Sequence, residues 1–255
     1  MATLAERVKA KDMTATLAAR EAGASGSSSL VRLASDADPE VRELTLLCLD
    51  EMGGPEAERM FSVALMDPHG QVRSAAMRGA RHHSTAASVP ALLNAFDYSG
   101  EAVVRENVLL TLGGIPGAPA SDVRRRWERE KDEAVRDAGL AALARLGDVE
   151  ARQIFVERVK AAAGAARGRW LELCEYAQAE WALGALLEYL DDTSDSLRIG
   201  ADNYAQCPMY LRVCDRAVNL AARLSRREFR FRVAPNVQYS PSQIQEVRDF
   251  LRAPR

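Results

Sequence analysis

The sequence predicts an all-α fold, a right-handed α-solenoid of about six helical hairpins with irregular N- and C-terminal caps. Three observations predict it. A dipeptide of a small or apolar residue followed by arginine recurs at Val41-Arg42, Val72-Arg73, Val104-Arg105, Val135-Arg136, Ala166-Arg167 and Leu197-Arg198, at intervals of 31, 32, 31, 31 and 31 residues. After the dipeptides a mainly apolar stripe falls at +3, +4, +7, +8 and +11, a helical and not a strand period. Turn-forming and acidic residues precede most copies, as in Asp36-Ala37-Asp38-Pro39 and Asp67-Pro68-His69-Gly70, where a helix cap belongs.

Taken in order, residues 1–24 read as an N-terminal capping region with one helix over 3–21, followed by the Gly/Ser-rich turn from Gly23 to Ser29. Residues 25–207 hold the repeats. In the first copy the stripe is Leu44, Thr45, Cys48, Leu49 and Met52. In the fourth it is Ala138, Gly139, Ala142, Leu143 and Leu146, with Gly147 as a C-cap. A second amphipathic segment alternates with each stripe, at 57–66, 87–96, 150–160 and 181–190, so each unit is a hairpin. Small residues such as Ala75, Ala76, Gly79 and Ala80 allow the helices to approach closely. Ala166-Arg167 lacks a preceding aspartate and is atypical. Residues 208–255 form a C-terminal cap: a helix over 209–223, an extended segment over 228–233, and a last helix opened by Ser240-Pro241-Ser242-Gln243 with capping-box spacing.

The stretch Asp38-Pro39-Glu40-Val41-Arg42 and the run from Val135-Arg136-Asp137-Ala138-Gly139 to Leu146-Gly147 resemble the HEAT-repeat family, especially its short bacterial, phycobilisome-lyase-type variety. The resemblance spans roughly residues 25–205. It implies a curved surface that binds protein partners. It also offers two enzymatic precedents, bilin lyases and alkylpurine DNA glycosylases. The near-neutral charge here is a poor match to the basic groove of the latter, although Trp127, Trp170 and Trp181 are present.

Composition narrows the function further. The 255 residues are 47% hydrophobic and 27% charged, which excludes overall disorder. With 34 Lys and Arg against 36 Asp and Glu, a net −2, the chain has no global positive field, and nucleic acid is disfavoured as a partner. Four cysteines without a CxxC pair fit free thiols in a cytoplasmic protein. The first twenty residues carry interspersed charges instead of a signal-peptide core, and no apolar run is long enough to span a membrane.

No nucleophile with its base, phosphate loop, metal cluster or carboxylate pair stands out, so the expected role is a non-catalytic scaffold or adaptor with no cofactor and no metal. Arg42, Arg73, Arg105, Arg136 and Arg198 read as a structural ladder that bridges a capping aspartate and the neighbouring loop. The charges around Trp127 balance, five bases against five acids, which makes that tryptophan a core anchor. His82 and His83 are adjacent and do not share a helix face, so they read as a lone surface pair. Charge segregates near the end, with eight acids against Arg198 over 172–202, then ten arginines against four acids over 203–255. These blocks either pair with each other or dock a partner of opposite charge, the alternative being a regulatory module that binds an acidic partner or nucleic acid through the arginine-rich end alone. On the second helices the outward positions +2, +6 and +9 predict a concave face carrying Glu43, Leu47, Arg78, Glu106, Leu110, Asp137 and Glu172. Such a face suits a basic amphipathic segment of a protein or peptide.

Overall fold

Local chemistry decides where most helices begin. The computed structural model describes residues 2–198 and 210–253 and separates into two units, Met1–Leu146 and Gly147–Arg255. In the first unit the single helix expected over 3–21 is two, α1 (Leu4–Lys9) and α2 (Ala15–Ala22). Lys11 takes a left-handed φ of 57°, and the Asp12 carboxylate accepts from the Thr14 amide at 2.9 Å and the Arg7 Nε at 2.9 Å, turning the chain.

Seven more helices follow: α3 (Pro39–Met52), α4 (Pro55–Ala64), α5 (Gly70–His83), α6 (Val89–Tyr98), α7 (Ala102–Gly114), α8 (Ala120–Arg129) and α9 (Glu133–Arg145). Asp38 caps α3 with Pro39 in its first turn, and Asp132 caps α9. Gly53 and Gly54, at φ of 67° and 92°, make the tight turn from α3 into α4, a conformation that side chains resist. The arginine-bearing helices α3, α5, α7 and α9 pack side by side in chain order, with α4, α6 and α8 each against its own partner. Leu46, Leu49, Leu109, Leu112 and Leu143 are fully buried, each worth roughly 1.5–3 kcal/mol of transfer free energy. This is the stacking of an α-solenoid, in which each hairpin completes its neighbour's core.

A repeated pin fixes the stacking register. Arg42 donates through Nη1 to the Asp36 carbonyl, six residues back, and through Nε and Nη2 to both oxygens of Asp67, 25 residues ahead. Arg105 repeats the pattern with the Ser99 carbonyl and Glu130. Arg73 bonds the Asp67 carbonyl and pairs with Glu101. The bonded acid therefore sits in the next loop and not in the arginine's own cap. Asp67 and Glu130 also accept a backbone amide two residues on, from His69 and Asp132. Burial pushes the Asp67 carboxyl up, but the Arg42 bonds and the His69 amide outweigh it and hold it below the usual range. The Arg105 bonds lead in lowering Glu130, to about 2.

The second unit contains α10 (Val149–Ala161), α11 (Ala166–Tyr176), a 3₁₀ segment (Glu180–Asp191), β1 (Asp195–Arg198), β2 (Tyr210–Arg212), α12 (Val213–Ser225) and α13 (Pro241–Arg252). Phe155 meets Trp170 and Trp181 edge-on at 5.2 and 5.5 Å, and the buried Tyr189 hydroxyl donates to the Val159 carbonyl. Arg167 is a full pin despite lacking a capping aspartate, donating to the Ala162 carbonyl and to Asp192 at 2.8 Å. The sixth dipeptide breaks the expected pattern: Leu197-Arg198 lies in β1, antiparallel to β2, with Leu197 exposed. Arg198 thus stands on a strand and does not continue the helical ladder. Helix α12 starts at Val213, four residues later than expected, because 210–212 pair with β1. The extended segment over 228–233 forms no strand, and its Phe229 and Phe231 stack on each other at 5.6 Å. The capping box at Ser240 opens α13 as expected.

Candidate functional site

Stacking α3 against α5 leaves an open groove of about 600 Å³ lined by Glu43, Leu47, Gln71, Ser74, Arg78 and Glu101. Glu43 and Leu47 are one turn apart on α3 and therefore share a face. Arg78 comes from α5, so two helices bring three of the residues expected on the concave face to one place. The Arg78 Nε donates to Asp50 Oδ2 at 2.9 Å, and Glu101 is engaged by Arg73.

The remaining expected residues are distributed differently. Glu106 and Asp137 are half-buried, each directly after a ladder arginine on α7 and α9. Leu110 does not stand exposed. It is 8% accessible because α7 is packed between α5 and α9. Ala141 and Ala144, also expected outward, are buried for the same kind of reason, since α9 is covered by α7 and α8. Glu172 is exposed in the second unit, where Arg216 Nη2 lies 3.3 Å from it. The outward positions Ile199, Asn203 and Gln206 of the sixth copy fall outside the described residues.

The acidic and arginine-rich blocks of the second unit pair with each other. Arg216 bonds Glu172 and Ser196, Arg223 pairs with Glu175, and Arg248 with Asp191. Arg212 clamps the fully buried Asp215 through Nε and Nη2 at 2.8 Å each. Trp127 anchors α8 on α9: its Nε1 donates to the Arg136 carbonyl at 2.9 Å, and the Arg136 guanidinium stacks 5.4 Å from its ring. Cys48, Cys174 and Cys214 are buried free thiols, and burial pushes Cys48 up to about 11 and Cys174 to about 12. Cys207 lies outside the described residues.

The histidine pair is not isolated. His82 Nδ1 is 2.8 Å from Asp50 Oδ1, and His83 Nε2 is 2.8 Å from the Asp50 carbonyl and 3.2 Å from Oδ1. Both oxygens only accept, so each of these ring nitrogens carries the proton. Phe61 stacks on the His83 ring at 5.8 Å. A signal for this grouping was present in the repeat itself, since Asp50 and His82 are 32 residues apart, one residue more than the 31-residue period, and a solenoid brings residues about one period apart close together.

Residues 27–113 match the family model of HEAT repeats. Among solved structures, the chain is similar to an engineered protein at a TM-score of 0.40 and 15% sequence identity, over 88% of this chain and 69% of that one. No curated protein matches it. No helix among the described residues is long and apolar enough to cross a membrane. The arginine-pinned hairpins of residues 27–113 are thus similar to HEAT repeats over that span.

Proposed function

We propose that this chain is a non-catalytic adaptor that binds a basic amphipathic segment of a protein partner in the groove between α3 and α5. The groove itself carries the reading: it is open, it lies within the HEAT repeats, and it offers the apolar face of Leu47 one turn from the carboxylate of Glu43. Repeat stacks commonly bind partners through such extended surfaces. Glu106 and Asp137 support it, because they occupy on α7 and α9 the position that Glu43 occupies on α3, and these helices form one layer. The acids steer approach while the leucine supplies affinity. The pairing of Arg212, Arg216, Arg223 and Arg248 within the second unit weighs against the arginine-rich end as the docking site.

The test uses a fluorescently labelled helical peptide of alternating lysine and leucine faces, titrated with the full chain and read by anisotropy. Glu43→Lys combined with Leu47→Asp is expected to weaken binding by about tenfold or more with an unchanged far-UV spectrum, and added salt to weaken the wild type. Binding indifferent to the double variant would remove the groove from the proposal.

A further inference from the structure

The geometry points to a divalent transition-metal site formed by Asp50, His82 and His83, independent of the docking reading. Among the described residues these three are the one grouping of potential ligands whose donor atoms, one from each, all lie within 4.8 Å of one another. The spacing arises from the solenoid. The adjacent histidines at the end of α5 stand edge-on, their rings at 86° with centroids 6.0 Å apart, and His82 Nδ1 and His83 Nε2 both turn to Asp50 of the preceding unit.

Asp50 and His83 are held from behind, as metal ligands are. Arg78 occupies Asp50 Oδ2 at 2.9 Å and leaves Oδ1 toward the imidazoles. His83 is fixed by the Phe61 stack and by Gly53, where a Cβ would stand only 3.2 Å from the ring. His82 is exposed, which leaves an approach from solvent. Two imidazole nitrogens and one carboxylate oxygen suit Zn²⁺, Ni²⁺ or Co²⁺ and not the oxygen-seeking Mg²⁺ or Ca²⁺, and they leave coordination positions for water or a partner's side chain. Binding requires the imidazole protons to move to His82 Nε2 and His83 Nδ1, after which the ion replaces the two hydrogen bonds to Oδ1. Ligand bonds of about 2.0–2.2 Å need the three groups to draw together slightly.

The experiment is Zn²⁺ titration of the chelator-treated full chain, followed by competition with a chromophoric chelator, and Co²⁺ absorption as a second readout. One equivalent should bind, affinity should fall about tenfold or more in both His82→Asn and His83→Asn, and His69→Asn should retain it. Zn²⁺ should raise the melting temperature of the wild type and not of His82→Asn, whose exposed position keeps the fold intact. Absence of binding, binding that survives both His82→Asn and His83→Asn, or a Co²⁺ spectrum identical to the aqueous ion would each overturn the site.

Discussion

Arg42 in the first unit and Arg167 in the second each donate to an aspartate 25 residues downstream, the former through Nε and Nη2 and the latter through Nη1, from helices that begin in different ways. Helix α3 starts on the Asp38 cap with Pro39 behind it, whereas α11 starts from Ala165 with no side-chain cap. In both, the aspartate also accepts an amide two residues on, from His69 or Ser194. Beyond it the chain enters α5 in one case and β1 in the other. The pin thus fixes a loop against the preceding hairpin and does not dictate what the loop becomes. Helix or strand is decided by the residues that follow.

The sharpest break of that comparison is within the ladder. Arg42 and Asp67 are both nearly buried, so Arg42→Ala leaves a carboxylate without its cation and is expected to cost about 3–5 kcal/mol. Arg136 bonds the Glu130 carbonyl and the Trp127 ring, and the position 25 residues on is Ala161, so Arg136→Ala should cost only about 1 kcal/mol. Urea unfolding of the two variants decides it, and equal losses would show that the downstream acid is not what gives the pin its strength.

Glu130→Gln probes the same bond from the acid's side. At neutral pH it should cost about 1.5–3 kcal/mol, the range for a charged hydrogen bond. Because the folded carboxyl is lowered to about 2 from an ordinary 4.5, its contribution is fully present above the ordinary value and is lost as pH falls through that window. The wild-type stability curve should therefore drop between about pH 4.5 and pH 2 more steeply than that of Glu130→Gln. Parallel curves would mean that Arg105 does not hold the carboxylate in solution.

These pins explain what was legible in the sequence. The 31-residue recurrence of the arginine dipeptide marks α3, α5, α7, α9 and α11, because burying the first residue and pinning the second are both needed to stack a hairpin. The recurrence misleads at Leu197-Arg198, where the apolar residue is 43% exposed and Pro208 occupies the +11 position of a stripe that a helix would need. For the groove, Glu43, Leu47 and Arg78 were legible from helical spacing, but Leu110 was not. A face count on one helix does not register that two neighbours cover α7. Asp50 with His82 and His83 escaped for the complementary reason: spacing within a helix excludes the histidine pair as chelators, while spacing by about one period brings in the third ligand.

Two glycines carry the comparison to its smallest effects. A Cβ on Gly79 of α5 would stand 2.3 to 2.6 Å from the ring of Phe61, which is buried and stacked on His83. Ring and backbone are both confined, so overpacking outweighs the gain of about 1 kcal/mol that alanine brings to a helix, and Gly79→Ala should lose about 1–2 kcal/mol net. On Gly168 of α11 the nearest atoms are Arg216 Nη1 at 3.1 Å and Ser196 Oγ at 3.2 Å. Both are ends of side chains that can turn aside by a few tenths of an ångström, so crowding and helix propensity nearly cancel, and Gly168→Ala should stay within about 0.5 kcal/mol of wild type. Urea midpoints for the pair test whether close helix approach belongs to the regular stack. A Gly168→Ala loss as large as that of Gly79→Ala would mean that the second unit is packed as tightly as the first and that only its connections are irregular.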